Sequence, residues 1–171
     1  MTGLDEKADS ILEVAVIITD YRLNTLEKYH AVIFQPDEVL SQMNDWCKEN
    51  HGKSGLTAAV PHGISIGRAE KDLVGLIGKH FEPDDRVVLA GNSIGNDRRF
   101  IDQYWKTLSS RLHYRMIDVS SLKEIYRECY GLNFQKSNAH RALGDVEASI
   151  EELKYYLSFV NAPMLPPEDI A

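Results

Sequence analysis

The sequence predicts an α/β domain built on a mixed sheet, and three observations carry that expectation. Two β-rich runs near the N-terminus, ILEVAVIIT (residues 11–19) and TLEKYHAVIFQ (residues 25–35), are joined by the short polar link DYRLN, the pattern of an antiparallel hairpin. Downstream, the short apolar runs VVLAG and MIDV alternate with segments of helical periodicity. The 171-residue chain, 43% hydrophobic and 26% charged, is long enough for one domain with a core and too short for two comfortable ones.

Each element follows from its local pattern. Pro36 ends the second strand. PDEVLSQMNDWCKENH reads as one helix, with Val39, Leu40, Met43 and Trp46/Cys47 at helical spacing, and HGKSG breaks it. A longer helix starts at Ser65, with Ala69, Leu73, Leu76, Ile77 and His80/Phe81 as its apolar stripe, and EPDDR ends it. VVLAG, a nearly continuous apolar run, is expected as a strand buried on both faces. NSIGN is a turn, and NDRRFIDQYW opens the next helix. MIDV is the fourth strand, and SSLKEIYRECY a helix with Ser120 as its N-cap. GLNFQKSN is a loop. A last helix runs from His140 to Phe159, with Ala142, Val146, Ile150, Leu153 and Leu157 facing inward. NAPMLPPEDIA is a proline-rich tail expected to fray. The domain is thus read as residues 1–160 and the flexible tail as 161–171.

Several classes are excluded. No apolar run approaches a membrane span, and ILEVAVII carries a glutamate. No basic segment followed by an apolar one marks a secretory signal. Cys47 and Cys129 have no framework spacing and read as reduced thiols of a cytoplasmic protein. A net charge of −7 argues against gripping long nucleic acid along a basic stripe. If nucleic acid is handled, it is handled in a local pocket. CxxC, HExxH, GxSxG and Walker-type loops are all missing.

The residues able to carry chemistry are few. Asp97 follows the turn after VVLAG, and strand ends are where α/β sheets place ligand and metal sites. Taken singly it reads as simply as a first-turn acid answering a helix dipole. His140 and Asp145, five apart in HRALGD, enter the last helix together; singly they read as a capping histidine and a solvated acid. Arg115 and the hydroxyls of Ser93 and Ser120 are natural phosphate holders, yet common surface features too. Trp46 on a helix face is more often core than a platform for a base.

Together these blocks resemble a family. MTGLD, ILEVAVIITD, NDWCKENHGKSGL, AGNSIGNDRRFID, HYRMIDVSSLKE and HRALGDVEASIEELKYY are similar, in order and roughly in spacing, to oligoribonucleases, 3′-to-5′ exoribonucleases of the DEDDh group. The similarity runs from Met1 to about Phe159. It implies a ribonuclease H-like fold, a homodimer, and hydrolysis of short RNA, dinucleotides included, to mononucleotides. It implies two divalent metals, Mg²⁺ or Mn²⁺, held by four acids. Asp97 matches the third acid, Asp145 the fourth, and His140 the base that takes a proton from the attacking water. Leu4 and Trp46 match the apolar wedge around the bases. Ser93, Arg115 and Ser120 match the groups that cap the 5′ phosphate, and Tyr114 matches the tyrosine given by the partner subunit.

One departure stands out. In the family, MTGL is preceded at once by Asp-x-Glu at the end of an apolar strand, the first two of the four acids. This chain begins at Met1, so the pair and its strand are missing, and Asp5 and Glu6 belong to the turn after MTGL. Two-metal hydrolysis needs ions roughly 3.5–4 Å apart, and Mg²⁺ demands near-octahedral oxygen coordination. Asp97 and Asp145 supply half of the charge. The expectation is weak or single-metal occupancy, and a sheet that either has a gap where the strand would lie or is filled there by another segment or chain. A start assigned too late explains this better than a decayed enzyme, because Asp97, His140 and Asp145 are all kept. The competing reading is a non-catalytic dimer that binds short oligonucleotides. A third, the cutting of DNA ends, is disfavoured by the HYR and NDWC blocks.

Overall fold

The computed structural model describes residues 1–135 and 141–162. The hairpin forms as expected: β1 (Glu13–Thr19) and β2 (Thr25–Val32) pair antiparallel, with Val14 opposite Ala31 and Val16 opposite Tyr29. These four side chains pack on the main core of Ile11, Ile33, Ala69, Leu73, Ile77, Phe100, Trp105, Leu108 and Leu112. A one-residue slip would turn them all to the other face, so burial sets the register. Asp20 closes the turn by accepting the Arg22 and Asn24 amides at 2.9 and 2.8 Å.

The helix expected over residues 36–51 is two helices, α1 (Asp37–Ser41) and α2 (Asp45–Lys53). The cause is Asn44. Its backbone is extended and its side-chain oxygen accepts the Cys47 amide at 2.8 Å, an N-cap that starts a new helix. The break lets Leu40, Met43 and Cys47 bury with Leu12, Leu56 and Val60 in a second core. The segment after HGKSG is ordered as α3 (Leu56–Ala59) and a 3₁₀ turn, Val60–His62.

Helix α4 (Ile66–His80) matches the expected stripe: Ser65 caps it, and Ala69, Leu73, Leu76 and Ile77 are buried. The chain continues through β3 (Val87–Gly91), α5 (Ile94–Tyr104), α6 (Lys106–Arg111), β4 (Leu112–Asp118), α7 (Val119–Tyr130) and α8 (Ala142–Leu157). Four expectations are corrected here. Helix α6 was not foreseen, and β4 begins at Leu112 rather than Met116. Asp118, not Ser120, caps α7, its carboxylate accepting the Ser120 amide at 2.9 Å. On α8 the buried residues are Glu152, Leu153 and Tyr156, and Leu157 is exposed. Stacking of Tyr156 on Tyr126 of α7, centroids 4.9 Å apart, sets that face.

A fifth correction concerns β3. It pairs parallel with β4, Leu89 beside Met116 and Gly91 beside Asp118, but Val88 and Ala90 are exposed. The sheet is two two-stranded pieces, β1–β2 and β3–β4. Among the described residues, nothing pairs with the edge of β1 away from β2 or the edge of β3 away from β4. Helix α8 packs on both β1 and β3 and spans the break. Among the described residues, no other segment pairs between the two pieces. His140 and residues 163–171 of the tail lie outside the described residues. No helix among the described residues is long and apolar enough to cross a membrane.

Candidate active site

The C-terminal ends of the parallel strands β3 and β4 converge on one polar knot. Ser93, between β3 and α5, is held with φ 51°, a left-handed conformation rare outside glycine. The strain is held by hydrogen bonds: the Ser93 amide donates to Asp118 Oδ1 and to Ser120 Oγ, both at 3.0 Å. Ser93 Oγ lies 3.3 Å from Ser120 Oγ. Asp118 Oδ1 thus takes the amides of both serines, and the strand pairing of Gly91 with Asp118 brings them together. The knot opens on a cleft of about 350 Å³ lined by Ser93, Gly95, Asn96, Arg99 and Asp118. The Arg99 guanidinium, bound to Asn96 Oδ1 at 2.8 Å and 3.6 Å from Glu6, is the cation of that cleft.

Arg115 is not among the cleft's lining residues. It sits on β4 with its guanidinium 5.3 Å from the centroid of the Tyr114 ring, a cation–π contact. Tyr114 is 73% exposed and stacks on His113 at 4.5 Å. Sequence reasoning missed Arg99, Asn96 and Asp118. The repeated N-cap pattern Asp-x-Ser in IDVSS could have found Asp118; Arg99 in NDRRF carries no signal that separates it from a solvated helix charge.

Asp97 stands in the first turn of α5. Burial pushes its carboxyl above the usual range, against its own backbone hydrogen bond and the nearby N-terminal charge. The Met1 ammonium is itself pushed down by burial, and lies within electrostatic reach of Cys47, Glu13, Asp97 and Asp9. The start of the chain is therefore packed beside Asp97. His51 fixes it from α2, its Nε2 2.9 Å from the Met1 carbonyl oxygen. Burial lowers the His51 imidazole, which suits a neutral ring donating to that carbonyl.

Leu4 and Trp46, each 65% exposed, project from the N-terminal loop and from α2. The loop is rigid for a stated reason. Asp9 accepts the Thr2 hydroxyl at 2.8 Å and the Asp5 amide at 3.0 Å, and its carbonyl takes the Tyr104 hydroxyl at 2.6 Å. A Cβ at Gly3 would stand 2.3 Å from the Asp9 carboxylate, so a larger residue there would push that carboxylate off its Thr2 and Asp5 donors.

Asp145 lies in the first turn of α8. The N-terminus of that helix is held by Glu13 of β1, which takes Arg141 Nε at 2.8 Å and the Ala142 amide at 3.1 Å. Among the described residues, no group of three or more His, Cys, Asp or Glu side chains converges to hold a metal ion. The described residues therefore do not fit a two-metal cluster.

The α/β fold thus carries an acid, Asp97, in the first turn after β3 and a serine–aspartate knot beside it, and the comparisons give the class, an exonuclease and hence a hydrolase. The chain belongs to the exonuclease family, whose model (RNase_T) matches residues 1–153. It is 45% identical over 162 residues to human mitochondrial oligoribonuclease, covering 91% of this chain and 68% of that protein. It is 49% identical over 162 residues to the probable oligoribonuclease of Dictyostelium discoideum, covering 91% and 84%. With the oligoribonuclease of Marinobacter nauticus it shares 44% over 161 residues, covering 91% and 89%. Exonucleases of this family use divalent metal ions.

Proposed function

We propose that this protein is a 3′-to-5′ exoribonuclease of oligoribonuclease type that degrades short RNA, dinucleotides included, to mononucleotides in the cytoplasm. The observation that supports this most is the Ser93–Asp118–Ser120 knot. Its two hydroxyls and the neighbouring Arg99 guanidinium are groups suited to a terminal 5′ phosphate. A phosphate capped there would admit a short strand and stop a long one. The exposed Leu4 and Trp46 would sandwich the bases, a stacking contact that tolerates any sequence. His140 would take the proton of the attacking water. Mg²⁺ or Mn²⁺ would be held through Asp97 and Asp145.

The assembly we propose is a homodimer formed across β4. That strand is at a sheet edge and exposes Tyr114, Met116 and Ile117, an apolar run of the kind that a second copy covers. Tyr114 would then reach the partner's substrate, and Arg115 beside it the phosphate. The folded domain is read as residues 1–160, with 161–171 as its tail.

The competing reading is a dimeric binder that holds short oligonucleotides with impaired cleavage. A labelled diribonucleotide incubated with the protein and Mn²⁺ separates the two. Cleavage lost in His140→Ala supports the nuclease; tight binding without product supports the binder. Full-strength cleavage would overturn the impairment.

A further inference from the structure

Behind the serine knot, a line of polar groups, half-buried at Asn92, Ser120 and Ser149 and fully buried at Glu152, leads to the helix that carries Asp145. Its centre is Asn92, the last residue before Ser93. Asn92 Oδ1 accepts the Ser120 hydroxyl at 3.2 Å. On its other side, Asn92 Nδ2 donates to Ser149 Oγ at 2.7 Å and to Glu152 Oε2 at 3.1 Å. Ser149 Oγ donates in turn to the Asp145 carbonyl at 2.8 Å. Glu152 is wholly buried, and its Oε1 takes the Tyr156 hydroxyl at 3.2 Å. One amide side chain therefore spends both ends of its polarity joining the Ser93–Ser120 pair to α8.

The pairing fixes which way each proton points. Ser120 uses its single hydroxyl hydrogen on Asn92, so its lone pairs face the Ser93 amide. An anion arriving at the knot asks Ser120 for that hydrogen. Asn92 must then release it, and its grip on Ser149 and Glu152 changes with it. Water does not replace these partners readily, because Glu152 is fully enclosed.

We propose that Asn92 is a positioning residue for 5′-phosphate recognition, coupling the Ser93–Ser120 pair to α8 at Ser149, one turn from Asp145. The proposal rests on the reading of that pair as the 5′-phosphate holder. Asn92 touches no substrate; it sets the hydroxyl direction at the knot and ties the knot to the acid-bearing helix. Its prediction is selective. Loss of Asn92 weakens a substrate with a 5′ phosphate and spares one without it.

The test is calorimetric binding of a diribonucleotide with and without a 5′ phosphate, in EDTA so that no turnover intervenes. Wild type is compared with Asn92→Ala, Ser149→Ala and Ser120→Ala, and thermal unfolding checks each fold. In Asn92→Ala the preference for the phosphorylated ligand should fall about tenfold, the size expected for one hydrogen bond to a charged group. Affinity for the unphosphorylated ligand should stay within about twofold. If Asn92→Ala does not fold, Ser149→Ala reports on the same link, with a drop of about threefold. An unchanged preference in the folded Asn92 or Ser149 variant, with a lost preference in Ser120→Ala, overturns the coupling and leaves the phosphate reading standing. Equal weakening of both ligands in Asn92→Ala overturns it as a general structural effect. A wild type that does not distinguish the ligands overturns the phosphate reading, and the coupling with it.

Discussion

The carboxylate of Glu13 on β1 grips the guanidinium of Arg141, with Nη2 2.6 Å and Nε 2.8 Å from Oε1, and its second oxygen takes the Ala142 amide at 3.1 Å. His30 Nε2 lies 2.7 Å away on β2. One buried acid thus fastens the first turn of α8 to the hairpin, 128 residues earlier in the chain.

Glu13→Ala should destabilise the fold by about 2 kcal/mol, below the range for fully buried pairs because Arg141 keeps partial solvent access. Burial alone would raise the Glu13 carboxyl, but hydrogen bonds from Arg141, His30 and Ala142 outweigh it and hold it below the ordinary value. A depressed folded-state value means stability that is present above the unfolded carboxylate range and lost as pH falls through the folded one. Urea unfolding of wild type and Glu13→Gln across mildly acidic pH checks this: the difference between them should shrink as pH drops.

Asp97 carries the opposite sign. Its raised carboxyl favours the protonated form in the folded state, so its ionisation opposes folding as pH rises above the unfolded value. Asp97→Asn is expected to raise the melting temperature by a few degrees, about 1 kcal/mol, while removing cleavage. Scanning calorimetry beside a diribonucleotide assay reads both effects, and a lower melting temperature would refute the first.

Metal binding should be sparse. With Asp97 and Asp145 as the available carboxylates, Mn²⁺ titrated into the protein as it stands should saturate at no more than about one ion per chain. Electron paramagnetic resonance of free Mn²⁺ gives the stoichiometry directly. A stoichiometry of two ions per chain would refute it.

Trp46 and Trp105 make a built-in control. Trp46 is 65% exposed, whereas Trp105 is buried, with its indole N–H donating to the Ile66 carbonyl at 3.0 Å. Trp46→Ala should change stability by less than about 0.5 kcal/mol and weaken dinucleotide binding about tenfold, the loss of one stacking contact. Fluorescence quenching by dinucleotide should vanish in Trp46→Phe if Trp46 is the residue that meets the bases.

The β4 edge offers a direct test of assembly. Ile117→Asp places a charge on its exposed apolar run, which should convert the proposed dimer to monomer with little change in fold. Light scattering on the size-exclusion peak decides it. A monomeric wild type would remove the dimer.

How far the sequence could be read depended on the range of the interaction. The α4 stripe of Ala69, Leu73, Leu76 and Ile77, its Ser65 cap and the β1–β2 hairpin were legible because each is set within a few residues. Local chemistry also explains what was misread: Asn44 carried the signal for the α1–α2 break, and Asp118 the true cap of α7, each overshadowed by a longer pattern. For β3 the apolar run VVLAG suggested burial on both faces. Exposure depends on which strand lies alongside, and no residue within the run records that.

The site divides in the same way. Sequence alone determined the family and offered Asp97, Asp145, Ser93 and Ser120 as candidates for its site. Tertiary structure decided that Asp118 holds both serines, that Arg99 lines their cleft while Arg115 stacks on Tyr114, and that Asn92 joins the knot to α8. The reason is physical: hydrogen bonds between residues 25 to 60 positions apart exist only once the strands and α8 have packed, and packing is a property of the whole chain.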